Sequence, residues 1–177
     1  YRTTSRQQSD YCDFESFSQP CVFIKYKQPV NGYTVKIMWF QYGEIGNALF
    51  RLEKNGKVHY LFVEKWNDKF LYDKYCNDNI KYPNDTIIEL NYIPKLDSEK
   101  YLSDNSPFFF SDIDFDGKDE FIINRFKGGS KGSNAYDVYK VGKNEITLMS
   151  ESPFTELENG HCEFSSINKT VTIHKHD

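Results

Sequence analysis

The residues in this chain best suited to chemistry are crowded into Asp112-Ile-Asp114-Phe-Asp116-Gly117-Lys118-Asp119-Glu120, five carboxylates and a glycine within nine positions. A hard cation such as calcium takes about six to eight oxygen ligands at short range. Asp112, Asp114 and Asp116 can all turn inward if the backbone curls around an ion. Gly117 permits the sharp turn that this needs, because glycine adopts the required backbone angles without a Cβ penalty. The Lys118 carbonyl and the Glu120 carboxylate complete a candidate ligand set. Without a cation, so many acidic groups at this spacing repel one another.

The loop does not follow the helix–loop–helix calcium pattern, which requires a bidentate Glu at the twelfth loop position. Ile123 stands there instead. The flanks, Phe108-Phe109-Phe110 and Phe121-Ile122-Ile123, are aromatic and β-branched, which predicts strands on both sides.

The elements around the loop carry the same signature. Cys21–Gln28, Tyr33–Tyr42 and Thr86–Ile93 each predict a strand. Asn31-Gly32 supplies a turn between the first two. Ala48–Glu53 and Val58–Glu64 predict a hairpin around Asn55-Gly56, the strongest short-range hairpin signal. Gly/Ser-rich 127–133 predicts a turn after the loop. Ala135–Val141 with Glu145–Ser150, and Cys162–Ser166 with Thr170–His174, predict two further hairpins. Trp66–Pro83 has no clean period and leaves room for a short helix. The expectation is one all-β domain of antiparallel hairpins over 11–177, a sandwich or a compact propeller-like stack, behind a polar leader over 1–10.

Bulk properties agree. The chain has 177 residues, enough for one well-filled core, and an aromatic fraction of 17%. A net charge of -4 argues against nucleic acid as a partner. No apolar run reaches membrane-spanning length. A chain that begins with Tyr1 rather than Met is expected to be a processed product. Such processing is compatible with a lipid anchor carried on a removed N-terminal segment. Cys12, Cys21, Cys76 and Cys162 are even in number, which suggests two disulfides and a periplasmic or secreted location. Of the three pairings, Cys12–Cys21 with Cys76–Cys162 is preferred. Four buried thiols are the alternative.

Enzymatic readings fare poorly. Gly128-Gly-Ser130-Lys-Gly132 matches the GxSxG elbow, with Asp137 and His161 following in order. That elbow must join a strand to a helix, whereas this segment is expected to join two strands. The four histidines show no HExxH spacing for a catalytic zinc. Trp39 and Trp66 are expected in the core.

The run from Asp112 to Val141 resembles a family of small secreted bacterial β-proteins with an Asp-x-Asn-Phe-Asp-Gly-x-x-Asp-Leu signature, followed by a glycine-rich turn and a Tyr-x-x-Tyr strand. Its best-understood members are periplasmic lysozyme inhibitors, including immunity proteins against peptidoglycan-cleaving toxins delivered by secretion systems. The likeness covers Phe108 to Val141 and is faint before Thr86. It implies calcium bound by Asp112, Asp114, Asp116, the Lys118 carbonyl and Glu120. Asp114 stands where the family has Asn, and Glu120 where it has Asp. Tyr136 and Tyr139 match the strand. The inhibitory SGxxY motif of another lysozyme-inhibitor family is missing.

Two function classes follow. The first is a non-enzymatic inhibitor or immunity protein whose partner is a peptidoglycan hydrolase or toxin effector. It would be engaged through Gly129, Ser130, Lys131, Ser133, Asn134 and Tyr136, with Phe126 nearby. The second is a calcium-dependent carbohydrate-binding or cell-surface module.

Overall fold

The computed structural model describes residues 22–42, 45–68, 71, 87–91, 93–95, 107–128, 133–158, 161–165 and 167–174. The expected leader, Cys12, Cys21 and Cys76 lie outside them.

The described chain is all-β. In order, the strands are β1 (Val22–Tyr26), β2 (Thr34–Tyr42), β3 (Ile45–Lys54), β4 (Lys57–Asn67), β5 (Ile87–Leu90), β6 (Phe108–Ser111), β7 (Glu120–Gly128), β8 (Ser133–Val141), β9 (Ile146–Leu148), β10 (Cys162–Ser165) and β11 (Thr170–Ile173). Nine of them form one sheet in the order β5-β1-β2-β3-β4-β7-β8-β9, with β6 also on β7, while β10 and β11 pair separately. The pairing is not wholly antiparallel as expected, because β5 runs parallel to β1, with Ile88 beside Ile24.

Local chemistry explains the hairpins. Asn31 and Gly32 have φ of 51° and 76°, and Asn55 and Gly56 have 53° and 75°. Both central residues of a type I′ turn need such angles, and they match the twist of the strands they join.

The long β3–β4 hairpin bends near its base. The ladder shifts register between Gly46 and Ala48, and Lys65 opposite adopts φ 55°. The Lys65 amide donates to Asn47 Oδ1 at 3.3 Å. Bulges of this kind turn a strand from one layer into another. Beyond the bend, β4 meets β7 at Trp66 and Arg125. β6 then takes over the same edge of β7, from Ser111 opposite Glu120 to Phe108 opposite Ile123. The Pro107 carbonyl ties the junction, accepting from the Asn124 amide at 2.9 Å and from Trp66 Nε1 at 3.1 Å.

The bend brings β3 over β6 and β7. Phe50 lies edge-on to Trp66, Phe108 and Phe121 at centroid distances of 5.2, 5.6 and 5.7 Å. Trp39 and Trp66, both buried, meet edge-to-face at 5.2 Å, so the tryptophans are core residues. A second cluster packs on the opposite face of β7 and β8, joining Phe109, Ile122, Tyr136 and Val138 to Ile113, Leu157 and Cys162. Strands β7 and β8 are therefore buried on both faces, and the aspartate loop is hung from this rigid pair.

Cys162 does not form the expected bridge. It is a free, buried thiol whose Sγ donates to the Glu158 carbonyl at 3.0 Å, and among the described residues there is no disulfide. Burial pushes the thiol up to about 11, which suits a small core residue rather than a reactive one.

Candidate metal centre

The aspartate loop spans the turn between β6 and β7, the strand–loop–strand arrangement expected. One carboxylate oxygen from each of Asp112, Asp114 and Asp116 lies within 4.8 Å of the others. Two oxygens on one calcium can stand no farther apart than about 5 Å, twice the metal–oxygen bond. The trio could therefore hold a metal ion.

The backbone is shaped to converge these side chains. Gly117 has φ 89° and Phe115 φ 62°, both left-handed, and at Phe115 the angle is uncommon for an aromatic residue. Three amides then donate to the three carboxylates. The Asp116 amide reaches Asp114 Oδ1 at 3.0 Å, the Gly117 amide reaches Asp112 Oδ2 at 3.0 Å, and the Lys118 amide reaches Asp116 Oδ1 at 2.9 Å. Each carboxylate thus has one oxygen held by the loop. Asp112 Oδ1 is buried and has no hydrogen-bond partner. A buried anionic oxygen without a partner is costly, and a cation beside it would remove that cost. The donor set, all carboxylate, fits a hard divalent ion rather than a soft one.

Glu120 also has a part that the sequence does not suggest. It is buried, and its Oε2 accepts the amides of Ile113 at 3.0 Å and Asp114 at 3.5 Å. It closes the base of the loop from the first residue of β7. Burial raises its pKa, the Ile113 amide opposes this, and Asp114 adds to it. The part of Lys118 visible here is its amide, bonded to Asp116.

Lys140, on β8, was not foreseen. Its ammonium pairs with Asp114 and also approaches Asp116 Oδ2 at 3.4 Å. The side-chain bond to Asp114 raises the pKa of Lys140. Asp116 is held below the usual carboxylate range; desolvation works against this, while the Lys118 amide and the Lys140 ammonium favour it. No local signal could have pointed to Lys140, since it lies 24 residues beyond Asp116 and meets it only through β7–β8 pairing.

The residues expected at a partner surface divide. Gly129, Ser130 and Lys131 lie outside the described residues. Asn134 is buried and accepts from Asn67 Nδ2 at 2.9 Å. Tyr136 is only 2% exposed and its ring packs 6.1 Å from that of Phe109. Both belong to the interior rather than to a contact surface, because β8 is covered on that face. The GxSxG segment links β7 to β8, which pair antiparallel; two strands flank it, as expected, and not the strand and helix of a nucleophile elbow. An open cavity of about 390 Å³ lies elsewhere, lined by Lys127, Thr155, Glu156, Glu158, His161, Ile173 and His174.

No family model, curated protein or solved structure matches this chain.

Proposed function

We propose that this chain is a calcium-binding protein of the cell envelope, periplasmic or secreted, that has no catalytic activity and inhibits a peptidoglycan-cleaving, lysozyme-like effector. The observation that supports it most is the convergence of Asp112, Asp114 and Asp116 around the unpartnered Asp112 Oδ1. Calcium is the ion favoured by an all-oxygen, all-carboxylate set in a loop with no fixed octahedron. Its role would be structural, fixing the loop and the start of β7. The inhibitory reading draws on the resemblance of the loop and the strands after it to the periplasmic lysozyme inhibitors.

With Asn134 and Tyr136 buried, the contact is assigned to Gly129, Ser130 and Lys131, which lie in sequence between β7 and β8, and to Ser133, the first residue of β8. A segment whose two ends continue into paired strands loses less freedom on binding than a free peptide. The net charge of -4 favours capture of a cationic hydrolase.

The test is a cell-wall lysis assay with a panel of lysozymes and peptidoglycan-cleaving effectors, run with calcium and with chelator. Near-stoichiometric inhibition that weakens when 129–132 is shortened supports the reading. Lysis unaffected throughout, with retention on a glycan array, would favour the carbohydrate-binding alternative.

A further inference from the structure

Strand β4 has an unusual exposed face. Val58, Tyr60 and Phe62 alternate along it and are 39%, 48% and 51% exposed. Before the bend, among the described residues, Lys57–Val63 has a ladder only with β3. The sheet's terminal strands are short, four residues in β5 and three in β9, which is a common way to blunt an edge. β4 spans 11 residues, and among the described residues no strand pairs with its outer edge at its centre.

The hairpin fixes which groups point outward. Asn55-Gly56 is a two-residue turn, so Lys54 and Lys57 form the first hydrogen-bonded pair. Hydrogen-bonded and non-hydrogen-bonded pairs alternate from there. The amides and carbonyls of Val58 and Phe62 therefore point away from β3, at the residues whose side chains are exposed. Tyr60 lies between them and bonds through its hydroxyl to the Arg51 guanidinium.

We infer that this edge of β4 pairs antiparallel with the same edge of a second copy of the chain, about a two-fold axis at Tyr60. The register follows from the sequence of the strand. A two-fold axis perpendicular to the sheet keeps each residue on its own face, so the axis must pass through a residue. Centred on Tyr60, Val58 of one copy faces Phe62 of the other, and Tyr60 faces Tyr60. Lys57 then faces Val63, and Glu64 faces Gly56, so no like charges meet. Centred on Leu61, Lys57 would face Lys65 and Val58 would face Glu64. Centred on His59, Phe62 would face Gly56 and lose its apolar partner. The Tyr60 register alone matches three apolar residues to three, with cross-strand aromatic and β-branched contacts of the stabilising kind.

The experiment is disulfide trapping of the full chain. Residues paired in such a ladder have Cα atoms about 5.5 Å apart, within disulfide range. Tyr60→Cys should therefore give a covalent dimer on mild oxidation. Wild type should not, and neither should Glu64→Cys, whose two copies would lie about 27 Å apart at 3.4 Å per residue. Sedimentation equilibrium reads the same interface without cysteine. Phe62→Glu should shift the protein to monomer. Val58→Lys combined with Phe62→Glu should restore the dimer, because the introduced lysine of one copy then faces the introduced glutamate of the other. Circular dichroism checks that each variant is folded. Monomer mass for wild type at its highest soluble concentration, or Tyr60→Cys trapping no faster than Glu64→Cys, would overturn the inference.

Discussion

Glu120 Oε2 accepts the amide of Ile113 at 3.0 Å across the base of the aspartate loop. One oxygen of the carboxylate that the spacing places among the ligands is thus bonded to the backbone. It closes the loop, in which Asp112, Asp114 and Asp116 face one another. Replacing Glu120 with Gln keeps the shape, and its carboxamide oxygen can still accept these amides. Replacing it with Ala leaves two amides without their acceptor, at a cost of about 1–3 kcal/mol. Glu120→Ala should therefore lower stability well below that of Glu120→Gln in urea unfolding; equal midpoints would refute the closing role.

Lys140 and a bound cation compete for Asp114 and Asp116. Lys140→Met should tighten calcium binding a few-fold, because the ammonium no longer has to be displaced. Isothermal titration of the two proteins side by side checks this. Weaker binding in the variant would mean that Lys140 supports the site instead.

Asp68 is fully buried, and its Oδ1 accepts the Leu71 amide at 2.8 Å, while Oδ2 has no partner. Burial pushes its pKa up to about 7, against the pull of the Leu71 amide. The unfolded chain releases this proton near pH 4. Between about pH 4 and pH 7 the folded state holds a proton that the unfolded state has lost, so stability falls as pH rises. At about 1.4 kcal/mol per unit the whole loss is at most about 4 kcal/mol. Asp68→Asn should remove this contribution, leaving the variant relatively more stable at pH 8 than at pH 5. Unfolding midpoints at both values, compared with wild type, read the difference.

Tyr136→Ala should destabilise the fold by about 3–5 kcal/mol, as large-to-small changes in a packed core do, because the ring sits against Phe109 in the second cluster. Any loss of inhibition in this variant should follow the loss of folded protein, whereas Tyr136→Phe should retain both. A folded, fully stable Tyr136→Ala protein that no longer inhibits would instead restore Tyr136 to the contact surface.

Much of this architecture is legible in short-range chemistry. Asn31-Gly32 and Asn55-Gly56 mark their turns because type I′ geometry demands positive φ, and the aspartate spacing marks the loop. What the sequence does not show depends on partners distant along the chain. The parallel pairing of β5 with β1 has no local signature. The bend at Lys65 depends on Asn47 across the ladder. Tyr136 looks like a surface anchor because β8 alternates, and only the second cluster reveals that both of its faces are covered. Cys162 looks like a half-cystine by parity, yet its thiol is held by the Glu158 carbonyl four residues away.

The most direct test of the metal centre is thermal unfolding with excess calcium and with chelator, in wild type and in Asp112→Asn with Asp114→Asn. A ligand that binds only the folded state raises stability by about 2.7 kcal/mol at a hundredfold excess over its dissociation constant. The account predicts a melting temperature several degrees higher with calcium in wild type and no difference in the variant. Identical melting curves for wild type with calcium and with chelator, together with no heat on titration, would contradict it.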